Sequence, residues 1–454
     1  MARAGRMLGN ILVFAAVLLL TVLTAPPAPA IEPPAIDPGA VPHDATGPEQ
    51  PFEQRHVCNE PLTTPGRKFT DPPWSNPYLG VDKAHQFATG AGVTVALIDT
   101  GVTASPRVPA EPGGDFVTED GNGLTDCDAH GTLVASLIAG RPAPTDGFIG
   151  VAPDARLISI RQTSAAYEPK DNTNSDDPNA SPAAGTVRSL ARAVVHAANL
   201  GAQVINISEA ACFKATNPID EKSLGAALDY AVNAKGAVVV AAAGNTGNDC
   251  SQNPEPDPSI PNDPRGWGQV QTIVTPAWYE QLVLTVGSFG ESGQPSAFSM
   301  HGPWVGAAAP GENIVALGPK GDPVDALPGK DGPLPIAGTS FSAAYVSGVA
   351  ALLRQRFPDL PPAEIIKRIT ASARHPGGGT DEAVGAGVVD AHAALTWHVP
   401  PEAPKDKDSV KRIEPPTPTP SPDRGPITAV GLGFLGLLLA LGLATLTGRA
   451  LRRR

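Results

Sequence analysis

Short apolar runs punctuate the chain, and each reads as a strand buried on both faces. The first is Val93-Thr94-Val95-Ala96-Leu97-Ile98, and comparable runs follow at 157–160, 204–207, 237–242 and 282–286. Continuous β-branched stretches of this length suit a parallel sheet that is covered on both sides, where neither face needs polar residues. Between them the apolar period becomes that of a helix, over 187–199 and 224–234. Strands alternating with such helices predict βαβ units, with the strand C-terminal ends and their loops on one edge. Two stretches depart from this rhythm. Residues 165–184, which include Lys170-Asp171-Asn172-Thr173-Asn174, have almost no apolar content; they predict a long, solvated, protease-sensitive loop. Pro361-Pro362 opens a last helix that runs to about Ser372, as proline does in a first turn.

The two ends set the compartment. Arg3 and Arg6 precede an apolar run over 11–23, and Ala28-Pro29-Ala30 follows. A basic end, a short apolar region and a small-residue cleavage site predict a secretory signal peptide over 1–30. That run reaches only about 20 Å as a helix, too short to span a bilayer comfortably. Residues 427–447 carry no charge, and Arg449, Arg452, Arg453 and Arg454 come directly after. As a helix this stretch would extend about 31 Å, close to a hydrocarbon core. Positive charge beyond it predicts a transmembrane helix with a cytoplasmic basic tail, 448–454, and puts everything before it outside. Pro-rich segments flank the central region: an N-terminal extension over 31–80, and a linker over 399–426 that could reach about 75 Å.

Composition then removes some options. The net charge is −12 with no offsetting basic face, which excludes a nucleic-acid partner. The four cysteines, Cys58, Cys127, Cys212 and Cys250, include no Cys-x-x-Cys spacing that would point to zinc. Outside the cytoplasm they are expected to pair, and the residues alone leave all three connectivities open.

Three segments carry candidate chemistry. Asp99-Thr100-Gly101 follows the first strand, which places an aspartate at the ligand-binding edge of a parallel sheet. His130-Gly131-Thr132 opens an apolar stretch of helical length; histidine has the pKa range of a general base. Gly338-Thr339-Ser340 opens a small-residue helix, so a serine hydroxyl and its backbone N–H emerge from one helix N-terminus. Each alone has an ordinary structural explanation as a turn aspartate, a packed histidine or an N-cap.

Together, and in this order, the three segments resemble the subtilase (subtilisin-like) family of serine proteases over about 81–394. Ala243-Gly244-Asn245-Thr246-Gly247 resembles that family's oxyanion-asparagine motif, and Phe298-Ser299-Met300-His301-Gly302 another of its stretches. The resemblance implies an α/β, three-layer subtilisin-like fold with a mostly parallel central sheet over 81–398. It implies that Ser340 attacks a polypeptide carbonyl, that His130 moves the proton, and that Asp99 orients His130. Asn245 and the Ser340 N–H would bind the oxyanion. Substrate would pair beside Ser208, Glu209 and Ala210, over a pocket partly floored by 242–244, including Ala243 and Gly244. No cofactor and no metal are implied; Asp120-Gly121-Asn122-Gly123 reads as a turn because further acidic calcium ligands are missing. Two positions differ from many relatives: Ala344 stands where they have proline, and Glu209-Ala210 where they have Leu-Gly.

The layout of signal peptide, extension, Asp126-Cys127-Asp128-Ala129-His130, Pro-rich linker, single span and basic tail is more specifically similar to the mycosins, subtilases of type VII secretion systems. That likeness implies the pairs Cys58–Cys127 and Cys212–Cys250, the second stabilising the fold by about 3–4 kcal/mol on a chain-entropy account. It also implies a membrane-anchored, extracytoplasmic endoprotease beside a type VII secretion membrane complex. The same sequence would serve a scaffold or cap of that complex with catalysis dispensable, or a general extracellular subtilase.

Overall fold

The computed structural model describes residues 31–171, 183–217, 220–247, 250–260, 262–377 and 379–399. Seven strands form the central sheet: β1 (Thr94–Asp99), β2 (Ala110–Asp115), β3 (Arg156–Arg161), β4 (Val204–Ile207), β5 (Val238–Ala242), β6 (Val283–Phe289) and β7 (Val305–Pro310). They lie in the order β7-β6-β5-β4-β1-β3-β2, and every neighbouring pair is parallel. The order reverses at β1, the position where an open α/β sheet leaves a crevice beyond its strand ends.

Alternation along the strands makes the layers. Val95, Leu97, Val204, Val238, Val240 and Leu284 pack on one face, under α1 (His130–Ala139) and α4 (Thr339–Arg356). Ala96, Ile98, Ile205, Val239 and Val283 pack on the other, under α2 (Val187–Asn199) and α3 (Lys222–Asp229). An inserted residue in β1 would exchange the two sets, because side-chain direction has a period of two. Beyond α3 the helix continues as a π-helical turn over Tyr230–Ala234, and α5 (Pro362–Ala371) packs on α4. Thus the five strands expected from apolar runs are present. β2 and β7 were not expected, for a physical reason. Ala110-Glu111-Pro112-Gly113-Gly114-Asp115 and Val305-Gly306-Ala307-Ala308-Ala309-Pro310 have the Gly, Ala and Pro content that disfavours strands, and both sit at sheet edges, where it is tolerated.

Residues 31–74 form a strap on the outside. Gln281 Nε2 donates to Pro34 O, Gly47 N to Asp115 O, and Asp44 accepts from His196 and Asn199. Phe52–Gln54 pairs antiparallel with Tyr167–Pro169, so part of the stretch expected to be a solvated loop is a strand instead. Its pairing comes from the distant strap, which no local pattern reveals. Residues 172–182 of that loop lie outside the described residues, as do the signal peptide, the linker from 400 on, the 427–447 span and the tail. Among the described residues no helix is long and apolar enough to cross a membrane. Within the extension read over 31–80, Ser75–Leu79 is helical, with Ser75, Asn76 and Leu79 buried and the Ser75 and Tyr345 hydroxyls 2.6 Å apart.

Candidate active site

Asp99 is the last residue of β1, between β3 and β4, and is fully buried. Its Oδ1 accepts from His130 Nδ1 at 2.7 Å and from Thr100 N at 2.7 Å. His130 opens α1, with Ala129 before it in a left-handed turn (φ 62°). The approach is so close that only glycine fits next: a Cβ on Gly131 would stand 2.0 Å from Gly101 O and 3.0 Å from Asp99 Oδ1. Asp126 clamps this corner. Its two oxygens accept from Thr100 Oγ1 at 2.8 Å and from Thr132 N and Oγ1 at 2.8 and 2.6 Å, while Thr100 Oγ1 in turn accepts from Gly131 N.

Ser340 is the second residue of α4 and nearly buried. Its N–H falls in the first turn, where no intrahelical acceptor exists. A buried chain of hydrogen bonds fixes the segment facing it. Ser347 Oγ donates to Asn206 Oδ1, Asn206 Nδ2 to Ser208 Oγ, and Ser340 Oγ to Ser208 O at 2.9 Å. Asn206 carried a signal that sequence reading passed over: it is the polar residue inside the apolar run Val204–Ile207. Asn245, beyond the end of β5, accepts at Oδ1 from both Thr339 N and Thr339 Oγ1 at 3.0 and 3.1 Å. With Oδ1 occupied, the Asn245 NH₂ is the part left to donate. Gly244 needs its positive φ of 93°, and a Cβ there would come 3.0 Å from Val274 and 3.7 Å from Ala210 Cβ. The segments after β4 and β5 therefore face one another as two walls of a cleft.

The structure thus brings Asp99 and His130 into contact and gathers Ser340, Asn245, Ser208, Glu209, Ala243 and Gly244 at the same sheet edge. Ser340, however, makes no hydrogen bond to His130; its hydroxyl rests on Ser208 O. Burial pulls the His130 pKa down, but the Asp99 charge and hydrogen bond outweigh it, with Glu209 and Asp126 adding, and the imidazole is held well above the usual histidine range. Asp99, His130 and Glu209 place one polar atom each within 4.8 Å of one another. Sequence reading named Glu209 for its place on the substrate track; its closeness to His130 is a tertiary fact.

Both expected disulfides are present, Cys58–Cys127 and Cys212–Cys250, with sequence separations of 69 and 38. The second ties the strand Ala211–Lys214 to the loop after Asn245. Away from this rim, His85 pairs with Val151 O and His56 with Glu168.

Comparison with known proteins agrees with this geometry. Residues 90–387 match the subtilase family (Peptidase S8). Mycosin-1 of Mycobacterium tuberculosis is 70% identical over 443 residues, covering 97% of this chain and 99% of that protein. The crystal structure of MycP1 from Mycobacterium smegmatis superposes with a TM-score of 0.80 at 69% identity, over 82% of this chain and 96% of that one. A chain in the structure of an intact ESX-5 inner membrane complex superposes with a TM-score of 0.78 at 47% identity, over 92% of this chain and 100% of that one. The chain belongs to the subtilase family, among the mycosins, and is a serine endopeptidase.

Proposed function

We propose that this endopeptidase acts through Ser340 as nucleophile, with His130 as its general base and Asp99 as the group that orients the imidazole and stabilises the imidazolium it becomes. The observation that carries this is the 2.7 Å Asp99–His130 bond, formed at the same sheet edge as a helix-opening serine. When a substrate carbonyl enters, rotation of Ser340 about its Cα–Cβ bond moves the hydroxyl from Ser208 O toward the ring. Neutral His130 takes the proton as Ser340 Oγ attacks, then returns it to the leaving amine; water, deprotonated by the same ring, next attacks the acyl-enzyme, and the acid product leaves as Ser340 regains its proton. The tetrahedral oxyanion is held by the Asn245 NH₂ and the Ser340 N–H, helped by the positive end of the α4 dipole. Substrate lies extended along Ser208, Glu209 and Ala210, with Ala243 and Gly244 below. Hydrolysis by this route needs no cofactor.

The enzyme works outside the cytoplasm as part of a type VII secretion membrane complex, anchored by the 427–447 helix after removal of residues 1–30. Support comes from the relative seen within the ESX-5 inner membrane complex and from two disulfides, which persist in oxidising compartments. Labelling of the purified full-length protein with a fluorophosphonate probe tests the chemistry. Wild type should label and Ser340→Ala should not; equal labelling of both, or none of a folded wild type, ends the proposal. A second role is favoured by the same relative: the protein also contributes structure to the complex. Secretion that survives Ser340→Ala but not deletion of the chain would establish it, and loss in both would remove it.

A further inference from the structure

Glu209 is placed where an acid is costly. It follows Ser208, whose carbonyl holds the Ser340 hydroxyl, and its carboxylate lies within 4.8 Å of Asp99 and His130 atoms. Among the described residues it accepts no hydrogen bond and forms no ion pair, whereas Asp126 and Asp128 are each satisfied by hydroxyl and backbone donors. The charges that act on it are Asp99, Asp126 and Asp128, all negative, and the His130 ring alone is positive. Among the described residues no lysine or arginine pairs with it. Burial and the Asp99 charge push its own pKa up to about 7. Three carboxylates, Asp99, Glu209 and Asp126, act on the one imidazole, and an unpaired acid in such a place is stabilised by any cation that can enter. The way in is open: Glu209 is half-buried and Ala210 beside it is exposed.

We propose that Glu209 makes this rim a subsite for a lysine or arginine side chain of the polypeptide substrate, on the residue that lies over the Asp99–His130 edge. The inference rests on the reading of Ser208, Glu209 and Ala210 as the substrate track, and it names the class of substrate that track selects. A long cationic side chain arriving from solvent carries its charge to the carboxylate without a second buried charge from the enzyme. Pairing has a further consequence. Once Glu209 is neutralised, its field on His130 falls, and more of the ring is in the neutral form that can accept from Ser340. The preference is therefore expected in kcat as well as in KM, because the interaction prepares the base and does not only hold the substrate. A divalent metal on the same three groups is disfavoured, since it would have to break the 2.7 Å Asp99–His130 bond.

The test uses full-length wild type, Glu209→Gln and Glu209→Lys, each checked for fluorophosphonate labelling. Peptide sets carry lysine, norleucine or glutamate at one position at a time. In wild type, one position should favour lysine over norleucine by about tenfold or more in kcat/KM, the size expected for a desolvated charge pair. Glu209→Gln should bring that ratio to within about twofold, and Glu209→Lys should favour glutamate at the same position only. The pH at which kcat/KM half-rises should also move down in Glu209→Gln, with Asp99, Asp126 and Asp128 still in place. A wild type that labels but shows no such position removes the subsite alone, as does a preference unchanged in Glu209→Gln or abolished by a chelator. A folded wild type that neither labels nor cleaves removes the catalytic reading and the subsite together.

Discussion

The rim that holds Asp99, His130, Ser340 and Asn245 and the strap over 31–74 are built in opposite ways. Of the rim groups Asp99 and Ser340 are buried, 0% and 6% exposed, whereas His130 is half-buried and Asn245 exposed; each is set by the end of a central strand or the start of a core helix. The strap lies on the surface. It is held by a three-residue strand pair, exposed polar bonds such as His56 to Glu168, and the Cys58–Cys127 bridge. No hydrogen bond from 31–74 reaches a side chain of Asp99, His130, Ser340 or Asn245 among the described residues. Reactivity here depends on positions that the sheet fixes, and the strap adds stability without entering the chemistry. Changes in the two regions should therefore separate into loss of rate and loss of stability.

Asn245→Ala should give the largest effect on the rim side. Alanine removes both the NH₂ and the Oδ1 that accepts from Thr339 N and Oγ1 beside Ser340. Turnover, read as kcat on a cleaved peptide, should fall by about 10²–10³, the range found when this kind of donor is removed from a subtilisin. Thermal stability should change far less, since the Asn245 side chain fills no apolar core position. A fall of less than about tenfold would show that the oxyanion is held elsewhere.

The converse holds for Cys58→Ser with Cys127→Ser. The bridge closes a separation of 69 residues, and removing such a constraint costs roughly 2–4 kcal/mol. Cys127 is three residues before His130, so an effect on rate is the alternative. The structure argues against one, because that segment has other anchors: Asp126 on Thr100 and Thr132, and Asp128 on Ser164 and Ala165. The midpoint of thermal unfolding should drop by several degrees while kcat/KM stays within about threefold. A larger loss of rate would make the strap part of the site and dissolve the contrast.

The same contrast explains what could be read from the amino acids. Asp99, His130, Ser340 and Asn245 announce themselves because each lies next to a strong local pattern, an apolar strand or a small-residue helix. The five central strands are legible for the same reason. What escaped depends on partners far along the chain: the strand Tyr167–Pro169 needs Phe52–Gln54, and the edge strands β2 and β7 need neighbours to overcome their Gly and Pro content. The bond series from Ser347 through Asn206 and Ser208 to Ser340 joins residues from two elements that only packing brings together. The disulfide pairing, open on the residues alone, came from family likeness.

Glu221 offers the smallest and most local test, at the start of the strap. It precedes α3, is 5% exposed, and lines a cavity of about 480 Å³ with Pro34, Ala35 and Trp278. Trp278 Nε1 donates to its Oε2 at 2.7 Å, while Oε1 is buried without a hydrogen-bond partner. Burial, only partly offset by its hydrogen bonds, pushes the carboxyl up to about 7 from an ordinary 4.5. The folded state thus holds the proton more tightly than the unfolded chain. The stability this gives is complete below pH 4.5, declines as the pH rises from there, and is gone above about 7. Glu221→Gln keeps an acceptor for Trp278 and removes the charge, so its unfolding free energy should fall less steeply across that window. Relative to wild type it should gain on the order of 2 kcal/mol between about pH 5 and pH 8. Because Asp126 and Glu209 are shifted in the same direction, the variant should flatten the decline only in part. Peptide cleavage should be unchanged, since nothing connects this carboxyl to His130. Parallel pH curves for the two proteins would mean that Glu221 is charged beneath the strap at neutral pH, and that the strap's first residues are held by an ionised group.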